Sequence, residues 1–462
     1  MKGTGNRFGG AGHRWWRRPF MRLGTCAIML GSLITLGGVS SSNASPCAPW
    51  PSCFGSPHQV TGAAPRNHAP AYQETYGHAG AAPVPPQEVN QRSYELLLAQ
   101  VPLDEAATRI EQAAAKLGAA NDGFFNTEVH PASHLLIVRW HGAVPAAITR
   151  LVNRIDGKIS IRVVPAAYSF AVLEHAITRA MRLDPAVSGG YPLTSGSGLQ
   201  LYVRASGMHA AASLIRARLG IPVVTAASPR VNLLASCIPD PSNTLGPGSR
   251  CYDLPPGFWG GDVIISPYVD CTGGFGVHDS AGNEFMMTAA HCAETPNGFE
   301  NGVHFINGNN TASVGYITDV PGPHDGALIP TSTGNRYYDG RGIYAGGSYF
   351  TKQVVGQLWT SVNDNLCESG AFGGVICQMV VKATGATIPG DRWNDVALAA
   401  SLTGNLPIQG DSGGPWFSLA GSGTVNAQGI THANVLYPDG SVFAVFTPIS
   451  VLSGDMGVSV NT

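Results

Sequence analysis

The chain alternates helix-like and strand-like patterns of apolar residues between residues 92 and 226. An alanine-rich helical pattern begins at Pro102 and stops at Gly118, a residue type that commonly follows a helix. Strand–helix–strand patterns then occur twice, over 135–163 and 199–224, with a further helical pattern between them. Since such units bury one face of a sheet under helices, a small α+β domain with two βαβ units is predicted here.

From residue 257 to the end, the apolar residues fall in short runs between turns. Glycine and proline are abundant, at 59 and 33 residues in the whole chain, which suits short strands joined by turns. The length of this part fits two six-stranded barrels. An all-β domain is therefore predicted over 257–462, with strand-like runs at 263–265, 313–317, 353–355, 380–381 and 442–446.

The first 44 residues have the composition of an export signal. Basic residues precede an apolar run over 26–39, and the small residues 42–44 follow it as a cleavage site. The pair Arg17-Arg18 also resembles a twin-arginine signal, so the general and the twin-arginine export routes both stay open. The sequence therefore predicts a secreted, extracellular protein that lacks this segment when mature.

Two proline-rich segments separate the predicted units. Residues 45–91 are rich in Pro, Ala and Gly, and residues 227–256 contain a second group of prolines. Such composition is typical of linkers. The chain is therefore predicted to consist of a signal peptide, a linker, the α+β region over 92–226, a second linker with an activation cleavage site, and the all-β domain.

Charge and cysteine content narrow the classes of function. The formal net charge is −2 and charged residues make up 12% of the chain, which indicates neither a nucleic-acid partner nor an anionic membrane surface. Removal of the signal leaves eight of the nine cysteines, an even number that favours disulfides over metal or thiol chemistry. Sequential pairing is one of many connectivities that eight cysteines allow, and it joins Cys47 with Cys53, Cys237 with Cys251, Cys271 with Cys292, and Cys367 with Cys377.

A glycine-rich stretch over 410–417, Gly-Asp-Ser-Gly-Gly-Pro-Trp-Phe, has the character of a nucleophile turn. A serine hydroxyl is a weak nucleophile at neutral pH, so Ser412 requires a base that takes its proton and backbone donors that stabilise an oxyanion. The glycines permit a sharp turn that presents the N–H groups of Gly410 and Ser412 to a carbonyl oxygen. His291, near the end of the apolar run 286–292, is the predicted base. Taken by itself, the stretch is also compatible with a plain glycine-rich turn.

The sequences Thr-Ala-Ala-His-Cys around His291 and Gly-Asp-Ser-Gly-Gly-Pro around Ser412 are those of the chymotrypsin-like serine peptidases, which the chain resembles from about Trp259 onward. Within that clan it is most similar to the bacterial streptogrisin and alpha-lytic protease type. The resemblance implies two Greek-key barrels of the trypsin-like kind and hydrolysis of peptide bonds through an acyl-enzyme. It also implies a pro-region that aids folding and blocks the site until it is removed, and the disulfides Cys271–Cys292 and Cys367–Cys377.

The third member of a Ser/His/Asp triad is a buried carboxylate that orients the imidazole. Asp325 is predicted for this role, because it precedes the apolar run 327–329 and is similar in setting to the family's aspartate block. Asp319 is the alternative. It is followed by the proline-containing stretch 320–323, which is unsuited to a paired strand.

A competing interpretation starts from Gly410–Gly414, which also fits the G-x-S-x-G pattern of α/β-hydrolases. In those enzymes the serine precedes the acid and the histidine, whereas the order here is His291, Asp325, Ser412. The only histidine after Ser412 is His432, and no alternating β/α pattern surrounds it. A serine endopeptidase is therefore predicted. A catalytically inactive binding protein of the same fold stays as the alternative, although no triad residue is missing.

By the resemblance, a specificity pocket is walled by residues just before Ser412 and by a strand after it. Leu406 lies where trypsin-like enzymes carry an aspartate, so cleavage after Lys or Arg is not expected. His432 has two alternatives: a hydrogen bond beside Asp325, or a place in the pocket that favours an acidic side chain. Ala433-Asn434 replaces a Gly-Gly pair and is expected to narrow the pocket mouth. The candidate pocket residues are Leu406, Gln409, Thr431, His432, Ala433 and Asn434.

The predicted partners follow from these assignments. They are protein or peptide substrates and the chain's own pro-region, with no nucleic acid and no membrane contact once the signal is removed. No cofactor and no metal are expected. The mature protein is expected to be a monomer.

Overall fold

The computed structural model of the protein describes residues 91–118, 123–155, 157–204, 217–233, 250–251, 258–295, 298–308, 310–320, 322–343, 351–389, 393–421 and 423–462. The predicted signal peptide, nearly all of the first linker, and Cys47, Cys53 and Cys237 lie outside these residues. No helix within the described ranges is both long and apolar enough to cross a membrane.

Helix α1 (Gln91–Leu117) opens the described chain. It ends at Gly118, whose φ of +68° favours a residue without a side chain. The helix begins well before Pro102, where the sequence pattern placed its start, and Pro102 lies inside it. Burial of Leu103 against the adjacent sheet offsets the backbone hydrogen bond that the proline cannot make.

Two three-stranded mixed sheets of the same design follow α1. Their parallel strand pairs match the strands of the two predicted βαβ units, whereas the first strand of each sheet has no counterpart in those units. In each, the first two strands are antiparallel and the last two are parallel. The elements are β1 (Phe124–His130), β2 (Leu135–His141), α2 (Ala146–Val152) and β3 (Ser160–Ala166), then α3 (Phe170–Leu183), β4 (Val187–Pro192), β5 (Leu199–Val203) and β6 (Val223–Ala227). Most of the predicted helix over 209–219 lies outside the described residues. This part is an α/β region with small mixed sheets.

The carboxy-terminal region is built mainly of short strands, as predicted. Strand β7 (Arg230–Leu233) precedes it. The elements are β8 (Phe258–Gly260), β9 (Val263–Ile265), β10 (Asp270–Thr272), β11 (Gly276–Asp279), β12 (Glu284–Thr288), a 3-10 helix (Ala290–Ala293), β13 (Glu294–Thr295), β14 (Gly298–Phe299), β15 (His304–Asn307), β16 (Ser313–Tyr316), β17 (Ala327–Pro330), β18 (Thr333–Tyr338), β19 (Thr351–Gln357), β20 (Asn365–Gly370), β21 (Gly374–Ala386), β22 (Val396–Ser401), β23 (Pro415–Leu419), β24 (Thr424–Leu436), β25 (Val442–Pro448), α4 (Ile449–Met456) and β26 (Val458–Val460).

Six of these strands close into a barrel, in the order β20–β21–β22–β25–β24–β23 and back to β20. The other half differs from the expected second six-stranded barrel. Its described strands form two four-stranded sheets, β10–β9–β15–β16 and β17–β12–β11–β26, and the pair β13–β14. Among the described residues these sheets do not join into one closed ring.

Two disulfides hold the regions that carry the candidate site. Cys271–Cys292 ties β10 to the 3-10 helix, and Cys367–Cys377 joins β20 to β21. Both are pairs that the resemblance implies. Bridges of this kind limit the freedom of the unfolded chain and so favour the folded state.

The α/β region packs against the barrel through direct backbone and side-chain contacts. The Val129 N–H donates to the Val362 carbonyl oxygen at 2.9 Å, and the Val362 N–H donates to the Thr127 carbonyl oxygen at 3.0 Å. The Trp359 N–H donates to Thr108 Oγ1 at 3.1 Å. Strand β1 and helix α1 therefore both contact the loop that precedes β20.

Candidate active site

The sheet register brings His291 and Asp325 together. Strands β12 and β17 are antiparallel, with Thr288 opposite Ala327, so the chain that leaves β12 runs beside the chain that enters β17. His291 Nδ1 lies 2.7 Å from Asp325 Oδ2, and the His291 backbone N–H donates to Asp325 Oδ1 at 2.9 Å. Both oxygens of the carboxylate are thus engaged by the same residue, which fixes the imidazole plane.

Ser412 lies on the other side of the imidazole, in the turn before β23. Its Oγ is 2.6 Å from His291 Nε2, a distance at which the hydroxyl donates to an unprotonated ring nitrogen. Gly410 and Gly413 have φ angles of +97° and +85°, which residues with a side chain rarely adopt. A side chain at Gly410 would also clash with the Phe372 ring. The glycines of the motif are therefore required for the turn itself.

Thr272 in β10 anchors this turn from behind. Its N–H donates to the Ser412 carbonyl oxygen at 2.8 Å and its Oγ1 donates to the Gly410 carbonyl oxygen at 2.7 Å. These two bonds hold the Gly410 and Ser412 carbonyl groups against β10. Across the described part of the chain, no protein acceptor receives the N–H of Gly410 or of Ser412.

Asp411 stabilises the same turn with a buried carboxyl group. Its oxygens accept backbone N–H groups from Phe372 and Gly373 at 2.9 Å and from Ile408 at 2.8 Å. Burial raises the pKa of Asp411 to about 6, although the three backbone donors oppose the rise. The side chain thus connects the nucleophile turn to the segment after β20.

A second imidazole, that of His432, contacts Asp325. This contact is one of the two alternatives that the sequence left open for His432. His432 Nδ1 lies 2.5 Å from Asp325 Oδ2, and both side chains are buried. Burial alone would raise the pKa of Asp325, but the positive potential of the His291 and His432 rings and their hydrogen bonds hold it well below its usual range. Asp325 therefore stays ionised beside both rings.

Trp393 covers the outer side of this cluster, and the sequence analysis did not single it out. Its ring centroid lies 5.9 Å from that of His291, 5.6 Å from that of His432 and 4.9 Å from that of Phe299. Ser412 is 0% exposed and His291 is 1% exposed. The Ser412 and His291 side chains are thus both buried. The sequence around Trp393 gives no signal of its partners, because His291, Phe299 and His432 are distant from it in the chain.

The predicted pocket residues differ in burial. Gln409 is exposed, whereas Ala433 packs in the core of the barrel. Asn434 Nδ2 donates to the Pro407 carbonyl oxygen at 2.8 Å, so its side chain links the two predicted walls. Leu406 is half-buried and packs against the barrel core.

Thr431 forms a hydrogen bond with Glu368, a buried acid that is not among the predicted site residues. Thr431 Oγ1 accepts from Trp416 Nε1 at 2.9 Å and donates to Glu368 Oε1 at 3.1 Å. Burial, together with the negative charge of Asp411, raises the pKa of Glu368 well above its usual range. The group next to Thr431 is therefore a buried carboxyl that holds its proton more tightly than an exposed glutamate.

The carboxy-terminal part of the chain resembles bacterial chymotrypsin-like proteases of known structure. Protease A from Thermobifida fusca is 21% identical, with a TM-score of 0.35, over 44% of this chain and 98% of that one. A Nocardiopsis protease is 19% identical with the same TM-score and the same coverage. A glutamic acid specific serine protease, described as using a histidine triad in substrate binding, is 21% identical with a TM-score of 0.35 over 44% of this chain and all of that one. No protein-family model matches the chain, and no curated protein matches it either.

Proposed function

We propose that the protein is a secreted serine endopeptidase made as a precursor. The observation that carries this proposal is the continuous hydrogen-bonded chain from Ser412 Oγ through His291 to Asp325, with distances of 2.6 and 2.7 Å. A nucleophile, a base and a carboxylate that orients the base are the parts that acyl transfer requires. The candidate oxyanion donors are the backbone N–H groups of Gly410 and Ser412.

Each group has one role in the proposed reaction. His291 Nε2 takes the proton of Ser412 as Oγ attacks the peptide carbonyl, and the two N–H groups stabilise the negative oxygen that forms. Nε2 then gives its proton to the leaving amine, so the C–N bond breaks and an ester on Ser412 results. In the second half, His291 takes a proton from water as the water oxygen attacks the ester carbonyl. The bond to Ser412 Oγ then breaks, which releases the carboxylic acid product and returns the proton to the serine. Asp325 stabilises the imidazolium that forms in both halves of the reaction.

The α/β region is proposed to act as a pro-region that aids folding and blocks the site. Strand β7, which links this region to the rest of the chain, pairs antiparallel with β24, with Leu233 opposite Ala433 and Asn232 opposite Asn434. The backbone of a predicted pocket wall is thus already paired, and an extended substrate would compete for the same edge. A barrel formed by non-local strand pairing also folds slowly without a template.

Arg250 bears on where activation cleavage occurs. Its guanidinium is fully buried and donates to the carbonyl oxygens of Gly261 at 2.6 Å and Arg341 at 2.8 Å and to Ser369 Oγ at 3.0 Å. The segment at Arg250–Cys251 thus packs inside the carboxy-terminal region, although the sequence placed it in a linker. We expect the first residue of the mature enzyme to precede Arg250. N-terminal sequencing of the active form checks this, and a start after Cys251 would contradict it.

Preference for an apolar or small residue before the scissile bond is proposed for the pocket. None of the predicted pocket residues is a carboxylate that could pair with a Lys or Arg side chain, whose burial without a partner is costly. An apolar side chain gains roughly 1.5–3 kcal/mol on full burial. Since His432 Nδ1 faces Asp325, a glutamate preference is not expected either.

A peptidase assay of the purified full-length chain, after it has been allowed to mature, tests the proposal. The hydrolysis of chromogenic peptides that differ only in the residue before the scissile bond is measured for Leu, Phe, Ala, Arg and Glu. Leu, Phe or Ala is expected to give the highest kcat/KM. A strong preference for Arg would overturn the assignment of the pocket, a preference for Glu that is lost in His432→Ala would place that histidine in it, and no hydrolysis of any peptide or protein would contradict the function.

A further inference from the structure

Three buried carboxyl groups meet where the α/β region packs on the barrel. Asp104 and Glu111 come from helix α1, and Asp364 comes from the loop before β20. They are 1%, 3% and 0% exposed, respectively. None belongs to the candidate active site, so the proposed peptidase reaction does not account for them.

Asp104 and Asp364 face the same contact from opposite sides, since Asp104 lies on α1 and Asp364 lies in the loop before β20. One oxygen of each carboxyl, Oδ1, is buried without a hydrogen-bond partner among the described residues. Gln100 Nε2 donates to Asp104 Oδ2 at 3.0 Å, while Gln100 Oε1 accepts the Asn365 N–H at 2.7 Å. The Ser361 N–H donates to Asp364 Oδ2 at 2.6 Å. Both carboxyl groups are thus part of the contact between the two regions.

Glu111 extends the cluster through two hydroxyl groups. It accepts a short hydrogen bond from Thr127 Oγ1, which lies 2.6 Å from Ser361 Oγ in the same loop as Asp364. Glu111 also lines a cavity of about 460 Å³ between the two regions. The second carboxyl oxygen of Glu111 is buried without a hydrogen-bond partner among the described residues.

No cation among the described residues neutralises these groups. Within those ranges, none of the three carboxyls is in an ion pair. The other titratable groups that face the cluster are mainly acidic, since Glu105 adds negative charge on Asp104 and Asp395 lines the same cavity as Glu111. Nearby Glu128 is paired with Arg139 and His130. Ionisation of the cluster would therefore place uncompensated negative charge in the interface.

We propose that this cluster makes the docking of the α/β region on the barrel sensitive to pH, tight in acid and progressively weaker as the pH rises through neutrality. The device is independent of the peptidase reaction. If the proposed function also holds, it means that the blocked site opens more readily in a neutral or alkaline medium.

The sign of the effect comes from proton linkage. Burial raises the pKa of Asp104 to about 7 and that of Glu111 to about 8, and it raises the pKa of Asp364 well above its usual range. A carboxyl with a raised pKa binds its proton more tightly in the docked form. The carboxyl makes its full contribution to the free energy of docking below the pKa that it has in the undocked form. This contribution is lost as the pH rises to the pKa that the carboxyl has in the docked form. Each proton released on undocking weakens docking by about tenfold per pH unit in that window.

Hydrogen–deuterium exchange of the full chain tests the proposal between pH 5 and 8. The Ser412→Ala background prevents self-cleavage by the proposed reaction and keeps both regions in one chain. The protection of α1 amides, corrected for the intrinsic pH dependence of exchange, is expected to fall by about tenfold per pH unit for each proton released. Amides of β11 and β12, which are remote from the interface, serve as the internal reference and are expected to change little.

Substitutions identify the groups responsible. Asp104→Asn, Glu111→Gln and Asp364→Asn, singly and together, are expected to flatten the dependence on pH. Glu105→Gln is a matched change on the exposed side of the same helix. It is expected to leave most of the pH dependence of α1 protection unchanged. If the protection of α1 amides stays constant between pH 5 and 8 while the three carboxyls are intact, the proposal is overturned. This result does not depend on any variant of the cluster. A slope that persists in the triple variant overturns the proposal as well, whether or not the protein hydrolyses peptides.

Discussion

Replacement of Ser412 by alanine is expected to reduce peptide hydrolysis by roughly a million-fold. The hydroxyl is the proposed nucleophile, and no other described hydroxyl lies against His291 Nε2. The fold is expected to persist, because the side chain contributes one hydrogen bond and little packing. The measurement is kcat/KM for the best chromogenic peptide, with circular dichroism and melting temperature as the checks on folding.

The comparison variants for this experiment are His291→Ala and Ser441→Ala. The former is expected to lose about as much activity as Ser412→Ala, because members of a triad act as a unit and their effects do not add. Ser441 is exposed and distant in the chain from the nucleophile turn, so its loss is expected to leave activity near that of the unsubstituted enzyme. More than a few per cent of activity in Ser412→Ala would remove this residue as the nucleophile.

Substitution of Asp325 by asparagine is expected to lower kcat by about four orders of magnitude with little change in KM. An amide at this position no longer stabilises the imidazolium, and its NH₂ group favours the wrong tautomer of His291. Here the effect extends to a second ring, because His432 Nδ1 also faces Asp325 Oδ2. The kinetic constants are measured on the matured chain with one peptide series.

Asp319→Asn is the matched control for this substitution. Asp319 is the alternative third member on sequence grounds, and the structure leaves its side chain exposed while its backbone bridges to Leu328. Near-normal kcat is therefore expected in Asp319→Asn. The reverse outcome, with Asp319→Asn inactive and Asp325→Asn active, would reassign the carboxylate.

The candidate site is accessible to sequence reasoning because short motifs carry it. The residues around His291 and Ser412 combine reactive side chains with glycines whose positive φ angles the turn requires. An apolar run comes after Asp325 and a proline-containing stretch after Asp319, which favours Asp325 as the partner of the histidine. The register of β12 with β17 does bring Asp325 to the imidazole. These inferences need only local chemistry and chain order.

Long-range contacts are not accessible in the same way. Nothing in the sequence near His432 decides between Asp325 and a pocket, because the answer depends on how β24 is oriented in the barrel. Trp393 and Arg250 lie in segments without apolar periodicity, and each finds its partners on distant strands. The carboxyl cluster joins helix α1 to a loop far along the chain. Hydrophobic patterns predict which face is buried but not which polar groups meet there.

Labelling with a peptidyl phosphonate tests the central claim most directly. The matured chain is incubated with a diphenyl phosphonate ester that carries Leu or Phe at the reacting position, and tandem mass spectrometry locates the adduct. One phosphonyl group per molecule on Ser412, absent from His291→Ala, is the result that a His291-activated nucleophile predicts. A matured chain that hydrolyses peptides while the reagent labels another residue, or that reacts equally well without His291, would contradict it.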